Sequence, residues 1–281
     1  MEKKKIISYK PTTAGRRHAS VLNNSELSQP RFKRLLVGKR TRAGRNNQGK
    51  ITVRHQGGGV KQKIRLIDFK QNKWEIPGIV AALEYDPNRS ANLALIKYAD
   101  GDWRYVIIPE GVTVGQKIIT SKEKLVMEIG NRFPLWLIPA GTLVCNVELY
   151  PGSGAKLARS AGSAVTLMLV EGDLAQLKMP STEIRKVSKD CLATIGQISN
   201  QAWRTIRLGK AGRKILMGIR PSVRGKVMNP VDHPHGGGEG KNPVGLKAPK
   251  NVYGKKALGV KTRRRKVSDY LIVQRRKRKK A

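Results

Sequence analysis

The strongest constraint on this chain is where its charge lies. Residues 1–60 carry 15 Lys and Arg against 2 Asp and Glu, residues 61–197 carry 18 against 14, and residues 198–281 carry 24 against 3, so the net charge of +38 sits almost wholly in the two ends. The middle is balanced enough to collapse around a core. The ends are basic, rich in Gly, Pro and Asn and poor in apolar residues, so burial alone cannot offset their chain entropy. They are expected to be extended arms that order against a partner. A partner that neutralises so much positive charge is a polyanion, nucleic acid first and an anionic membrane surface second.

A membrane partner would need an anchor. The best candidate, Phe133 to Val147, is shorter than the roughly 20 apolar residues a span requires and is interrupted by Pro134, Pro139 and Gly141. No membrane partner is expected. Met1 to Lys10 has neither the apolar core of a signal peptide nor the Arg/Ser richness of a transit peptide, so the expected location is the cytoplasm or the interior of an organelle. Cys145 and Cys191 have no CxxC spacing and no second ligand nearby, which favours two buried thiols over a disulfide scaffold or a zinc site.

The balanced middle reads as short strands. Lys63–Asp68, Ile79–Tyr85, Leu93–Tyr98 and Trp103–Ile108 are rich in β-branched and aromatic residues, and Asp100-Gly101 supplies the positive-φ residues of a tight hairpin. A second set follows at Leu143–Leu149, Val165–Val170, Leu174–Met179, Thr182–Val187 and Ala193–Ile198, punctuated by Gly172 and Pro180-Ser181. Strands at this spacing suggest two small barrels meeting near Gly130. Helix is expected only near Ala155–Ala161 and Asn200–Leu208, the latter capped by Ser199.

Three segments invite functional readings. Arg54-His55-Gln56-Gly57-Gly58-Gly59, followed by Lys61, Lys63 and Arg65, reads either as a flexible linker or as backbone approaching phosphates beside neutralising cations. Arg89, in the loop Asp86 to Ser90, and Arg159, among small neighbours, are guanidinium forks suited to phosphate. Asn229 to Gly240 gathers Asp232, His233, His235 and Glu239, which could be drawn as a metal site or a general base. Pro230 and Pro234 preclude regular structure there and the surroundings are strongly basic, so a Pro/Gly-fixed loop threading RNA, its His stacking on a base or donating to phosphate, is preferred. No catalytic or metal-ligating residue is assigned. The basic clusters at Arg263–Lys266 and Arg275–Lys280 read as groove contacts rather than localisation signals.

Read in order, GRNNQGKITVRHQGGG (Gly44–Gly59), IDF (Ile67–Phe69), EYDPNRSA (Glu84–Ala91), GKAGR (Gly209–Arg213) and MNPVDHPHGGGEG (Met228–Gly240) resemble the L-two family of large-subunit ribosomal proteins, in its bacterial or organellar form. The resemblance implies a mainly β fold, an oligonucleotide-binding-fold barrel followed by an SH3-like barrel, with basic N- and C-terminal arms extended into ribosomal RNA. It implies a role in assembly, subunit association and support of the peptidyl transferase region, with Arg89 and Arg159 on RNA-contact positions and Asp232 and His233 in the loop nearest that centre. Val60 and Gln71 depart from residues usual in the family, and nothing carries over beyond Lys241, where a Thr-Pro-Trp-Gly stretch is missing.

The resulting expectation has four parts: a basic arm over 1–60, an RNA-binding barrel over 61–129, an SH3-like barrel over 130–198 and a basic extension over 199–281. The RNA-binding set is Arg54, His55, Lys61, Lys63, Lys70, Lys73, Arg89, Arg159, Lys210, Arg213, Arg220 and Arg224. Asp232, His233, His235, Gly236, Gly237 and Gly238 form the loop near the peptidyl transferase centre. Expected partners are large-subunit ribosomal RNA, the small subunit at the interface, nearby tRNA and neighbouring ribosomal proteins. The expected location is the cytoplasmic or organellar ribosome. No cofactor is expected beyond structural Mg held by the RNA. A metal-dependent nuclease or transferase and a histone-like compactor are the competing functions.

Overall fold

Gly101 takes a φ of +85° and Tyr98 and Asp102 close the hairpin around it, as Asp100-Gly101 predicts. The structure is a computed structural model that describes residues 5–29, 32–123, 126–240, 242–261, 264 and 266–276. The chain divides into two units. The first combines residues up to Arg40, Lys61–Lys210 and those from Tyr270 onward; the second combines Thr41–Val60 and Ala211–Asp269.

In the first unit β1 (Ile6–Ser8) pairs with β2 (Ser20–Leu22), and β3 (Leu36–Gly38) pairs with β4 (Lys63–Arg65). β5 (Gly78–Glu84), β6 (Leu93–Tyr98) and β7 (Trp103–Ile107) form an antiparallel meander, and β8 (Lys117–Ile118) adds to the free edge of β5. A register shift between Val80 and Ala82 curls the sheet, and an Ile67–Tyr105 bridge ties the end of β4 to β7. β5 alternates buried with more exposed residues, whereas β6 is buried throughout except for Lys97, which identifies it as the strand covered on both faces.

The second barrel is a sheet of order β17-β15-β14-β13-β10-β16-β9. Its strands are β9 (Arg132–Pro134), β10 (Leu143–Cys145), β13 (Val165–Glu171), β14 (Leu174–Lys178), β15 (Ile184–Ser188), β16 (Leu192–Ile195) and β17 (Ile272–Gln274). Beside them β11 (Val147–Glu148) pairs with β12 (Ala155–Leu157). Phe133 to Val147, the stretch that resembles an anchor, is core: Phe133, Leu135, Val144 and Val147 pack with Val165, Leu167 and Leu177. Each such side chain contributes on the order of 1.5–3 kcal/mol by burial. No helix among the described residues is long and apolar enough to cross a membrane.

The barrels meet through a shared core, where Cys145 and Ile198 join Leu93, Leu95, Tyr105 and Ile107. Asn146 makes the joint polar as well. Its φ of +50° breaks the predicted strand Leu143–Leu149 into β10 and β11, and its buried side-chain amide donates to the Ile107 carbonyl at 2.9 Å. Asn tolerates that left-handed conformation better than a bulkier residue.

Two helix expectations need correction. Ala155–Ala161 starts as strand β12, because the open edge of β11 and the Phe69 carbonyl, 2.7 Å from the Ala155 amide, offer stronger backbone partners than an uncapped short helix. Asn200–Leu208 contracts to a 3-10 turn over Gln201–Thr205, and Ser199 does not cap it; its hydroxyl accepts from the Asn92 amide at 3.3 Å. Among the described residues the α-helices are α1 (Ala14–Arg17) and α2 (Ala211–Leu216).

The basic ends are also anchored at particular points. β17 covers the edge of β15, which would otherwise be open to mispairing. Ser20 exchanges hydrogen bonds with Arg207, its amide donating to the Arg207 carbonyl and its hydroxyl accepting from the Arg207 amide, both at 2.9 Å. Of the basic clusters, Arg263, Arg265 and residues 277–280 lie outside the described residues, as do residues 1–4.

Candidate nucleic-acid interface

The loop between β5 and β6 is built on a buried carboxylate. Asp86 is 1% exposed; its Oδ1 accepts from the Asn88 amide at 2.9 Å and lies 3.5 Å from Arg65, and its Oδ2 lies 3.3 Å from Arg89 Nε, an ion-pair contact without an aligned hydrogen bond. Beneath it Glu84, fully buried, accepts from the Tyr105 hydroxyl at 2.9 Å. Asn88 reaches the Lys63 carbonyl at 2.8 Å, and Ser90 receives Ala161 at 3.1 Å and Asn200 at 2.6 Å. These contacts hold the loop and with it Arg89, which is half-buried and 31% exposed at its side chain.

Arg159 arrives from the second barrel, just after β12, and is exposed. Its guanidinium lies 4.9 Å from the Phe69 ring centre, and that of Arg89 lies 5.4 Å from the same ring. The two arginines that the sequence singles out separately thus share one aromatic support, which orients both forks through cation–π attraction. The sequence contains Phe69 only as part of a family motif. An aromatic residue beside Lys70 in a basic run was the available signal.

The other basic candidates differ. Lys61, Lys63, Lys70, Arg54 and His55 are exposed, as are Lys210, Arg220 and Arg224, while Arg213 is half-buried on α2. Lys73 is engaged internally: its side chain is 11% exposed, its ammonium pairs with Asp100 and lies 3.0 Å from Asp102, and it sits 4.8 Å over the Tyr98 ring. Gln71, where the family usually has a cation, is buried at a φ of +47°, its amide bound to Asp68 at 2.9 Å.

In the second unit the triple glycine is not a free linker. Gly57 donates to the Gly218 carbonyl and Val60 to the Leu216 carbonyl, both at 2.8 Å, so this backbone pairs with the chain leaving α2. A Cβ on Gly59 would stand 2.8 Å from the Gly218 nitrogen and 2.9 Å from the Leu216 carbonyl oxygen, which is why the approach requires glycine.

The loop Met228–Gly240 closes on itself. The amides of Asp232 and His233 point to the Asn229 carbonyl at 3.0 and 3.3 Å, and Gly237 donates to Met228 at 3.1 Å. His233 is 8% exposed, its Nδ1 accepts from the His235 amide at 3.0 Å, and the two rings meet edge-on at 4.7 Å. His235 Nε2 accepts from the Lys250 amide at 2.9 Å. The structure turns the His233 ring inward, against Gly225, where it shapes the loop. Asp232 is exposed. Among the described residues no three His, Cys, Asp or Glu side chains gather in a way that could hold a metal ion.

Two small β-barrels with arginines fixed across their junction and strongly basic flanks define an RNA-binding protein. The family description "Ribosomal Proteins L2, RNA binding N-terminal domain" matches residues 32–120, and "Ribosomal Proteins L2, C-terminal domain" matches residues 128–254. The chain belongs to the L2 family of ribosomal proteins, structural constituents of the large ribosomal subunit that bind ribosomal RNA. Its barrels are accordingly the oligonucleotide-binding and SH3-like folds of that family.

Proposed function

We propose that this chain is a non-catalytic, primary ribosomal RNA-binding protein that docks through the barrel junction and then uses its second unit to support the peptidyl transferase region and subunit association. The observation that carries this reading is the convergence of Arg89 and Arg159 on Phe69, because a pre-formed pair of guanidinium forks can meet phosphates before the basic ends are engaged. Exposed Lys61, Lys63, Lys70 and Lys210 in the first unit, and exposed Arg220 and Arg224 in the second, supply further positive groups for the RNA backbone. The self-closed loop containing Asp232, His233, His235 and Gly236–Gly238 fits into packed RNA as a shaped wedge, fixing local RNA geometry without proton transfer. The small subunit at the interface, tRNA and neighbouring ribosomal proteins are its further neighbours, and it needs no cofactor of its own.

The test is assembly in a strain whose only copy is the variant. Arg89→Ala/Arg159→Ala is expected to reduce incorporation into large subunits. His233→Ala is expected to be incorporated but to yield subunits defective in joining or in peptide-bond formation. The opposite pattern, normal incorporation of the arginine variant and exclusion of the histidine variant, overturns the reading.

A further inference from the structure

A cavity of about 430 Å³ opens beside Lys70, the residue that follows the arginine-bearing Phe69, and it is walled by Trp74, Trp136, Pro134 and Pro151 with Lys70 and Lys122 exposed beside them. Trp74 comes from the stretch that bridges to Thr120, and Trp136 from the 3-10 turn after β9, so each barrel contributes one ring. Trp74 and Trp136 are 37% and 48% exposed, although tryptophan is among the costliest side chains to leave in water. The volume falls in the range of roughly 300–1,000 Å³ typical of ligand pockets.

We propose that this cavity receives an unpaired nucleobase of the ribosomal RNA, stacked against Trp74 or Trp136, with the adjoining phosphate on Lys70 or Lys122. Three observations select a nucleotide. Aromatic faces beside cations match a base and its phosphate together. The Lys122 ammonium already lies 4.7 Å over the Trp74 ring, which places positive charge at the edge of the stacking surface. The cavity is also continuous in sequence and space with the Phe69 platform, since Phe69 receives the Ala155 amide just beyond the Pro151 loop. The wall includes Glu148, but its carboxylate is 1% exposed and occupied by Arg132 and by the amides of Gly152, Gly154 and Leu192, so it offers little repulsion. Asp190 is the exposed acid of the lining.

The proposal rests on docking of ribosomal RNA at the barrel junction and adds to it a site that reads an unpaired base. The test uses the full chain and deproteinised large-subunit RNA at fixed salt. Trp74→Leu/Trp136→Leu is expected to bind at least about fivefold more weakly, with an unchanged salt slope, whereas Trp74→Phe/Trp136→Phe, which keeps aromatic faces, stays within about twofold of wild type. Ultraviolet irradiation of the wild-type complex is expected to leave nucleotide adducts on peptides containing Trp74 or Trp136, a readout that does not depend on how the leucine variant folds. Wild-type affinity in the leucine variant, or adducts absent from both peptides, overturns the base pocket while leaving the arginine platform intact. So does normal RNA binding by that variant combined with loss of a neighbouring protein from reconstituted subunits, since a protein is then the occupant. Failure of the wild-type chain to bind the RNA overturns the docking account itself.

Discussion

Arg89 of the first barrel and Arg159 of the second lie against one ring, that of Phe69, at 5.4 and 4.9 Å. Because the barrels share a core at Cys145 and Ile198, the separation of the two guanidinium groups is set by packing rather than by the arginine side chains alone. Replacing both arginines by Ala is expected to weaken binding of large-subunit RNA by about 1.5–3 kcal/mol for each charged hydrogen bond lost. Phe69→Leu, which keeps both charges but removes their aromatic support, should cost about 0.5–1 kcal/mol per arginine. Filter binding with the two variants checks both figures.

Glu148 holds the second barrel from inside. Arg132, fully buried, lies 3.3 Å from Glu148 and donates to the Asn146 carbonyl at 2.9 Å. Burial draws the Arg132 pKa below its usual value while Glu148 opposes the shift, so removing the carboxylate strands a charge. Glu148→Ala is expected to destabilise the protein by about 3–5 kcal/mol, read from the midpoint of urea unfolding. A change under about 1 kcal/mol would contradict this account of the barrel.

Burial pushes the thiols of Cys145 and Cys191 up to about 12, with Arg132 opposing it at Cys145. The thiolate is the reactive form, so an aromatic disulfide reagent at pH 8 should label neither cysteine in the native chain and both after unfolding. Because the folded pKa lies above the unfolded value of roughly 8.5, stability is intact below that pH and falls as pH rises towards 12. Alkaline unfolding of the double Ala variant should begin at higher pH than that of wild type.

A Cβ on Gly225 would stand 2.4 Å from the His233 ring, so Gly225→Ala must displace that ring. It is expected to give faster proteolysis within Met228–Gly240 in the RNA-free protein with unchanged cleavage of the barrels and, like His233→Ala, incorporation into subunits that join poorly. Limited proteolysis followed by mass spectrometry reads the first two.

The barrels were legible because their strands depend on local pattern: the alternation in β5 and the Asp100-Gly101 turn appear in the sequence. The break at Asn146 was not, since it depends on the Ile107 carbonyl waiting in another barrel. The same holds for Ala155, whose amide chose Phe69 over a helix. At the candidate site the charges of Arg89 and Arg159 could be read, but their shared ring required the fold. Lys73 looked equivalent to Lys70 in sequence, and only the hairpin that brings Asp100 and Asp102 beside it separates the two. The burial of the His233 ring could not be read either: the glycine that receives it lies eight residues earlier and carries no pattern of its own.

A chain of net charge +38 with a fixed platform should recognise structured ribosomal RNA rather than any polyanion. Competition between large-subunit RNA and duplex DNA at equal phosphate concentration, followed across a salt titration, tests it most directly. If some six to ten phosphates are contacted, RNA affinity should fall by on the order of a thousandfold or more between about 50 and 200 mM salt, with RNA preferred over DNA at every point. A flat titration, or equal affinity for RNA and DNA throughout, would contradict the account.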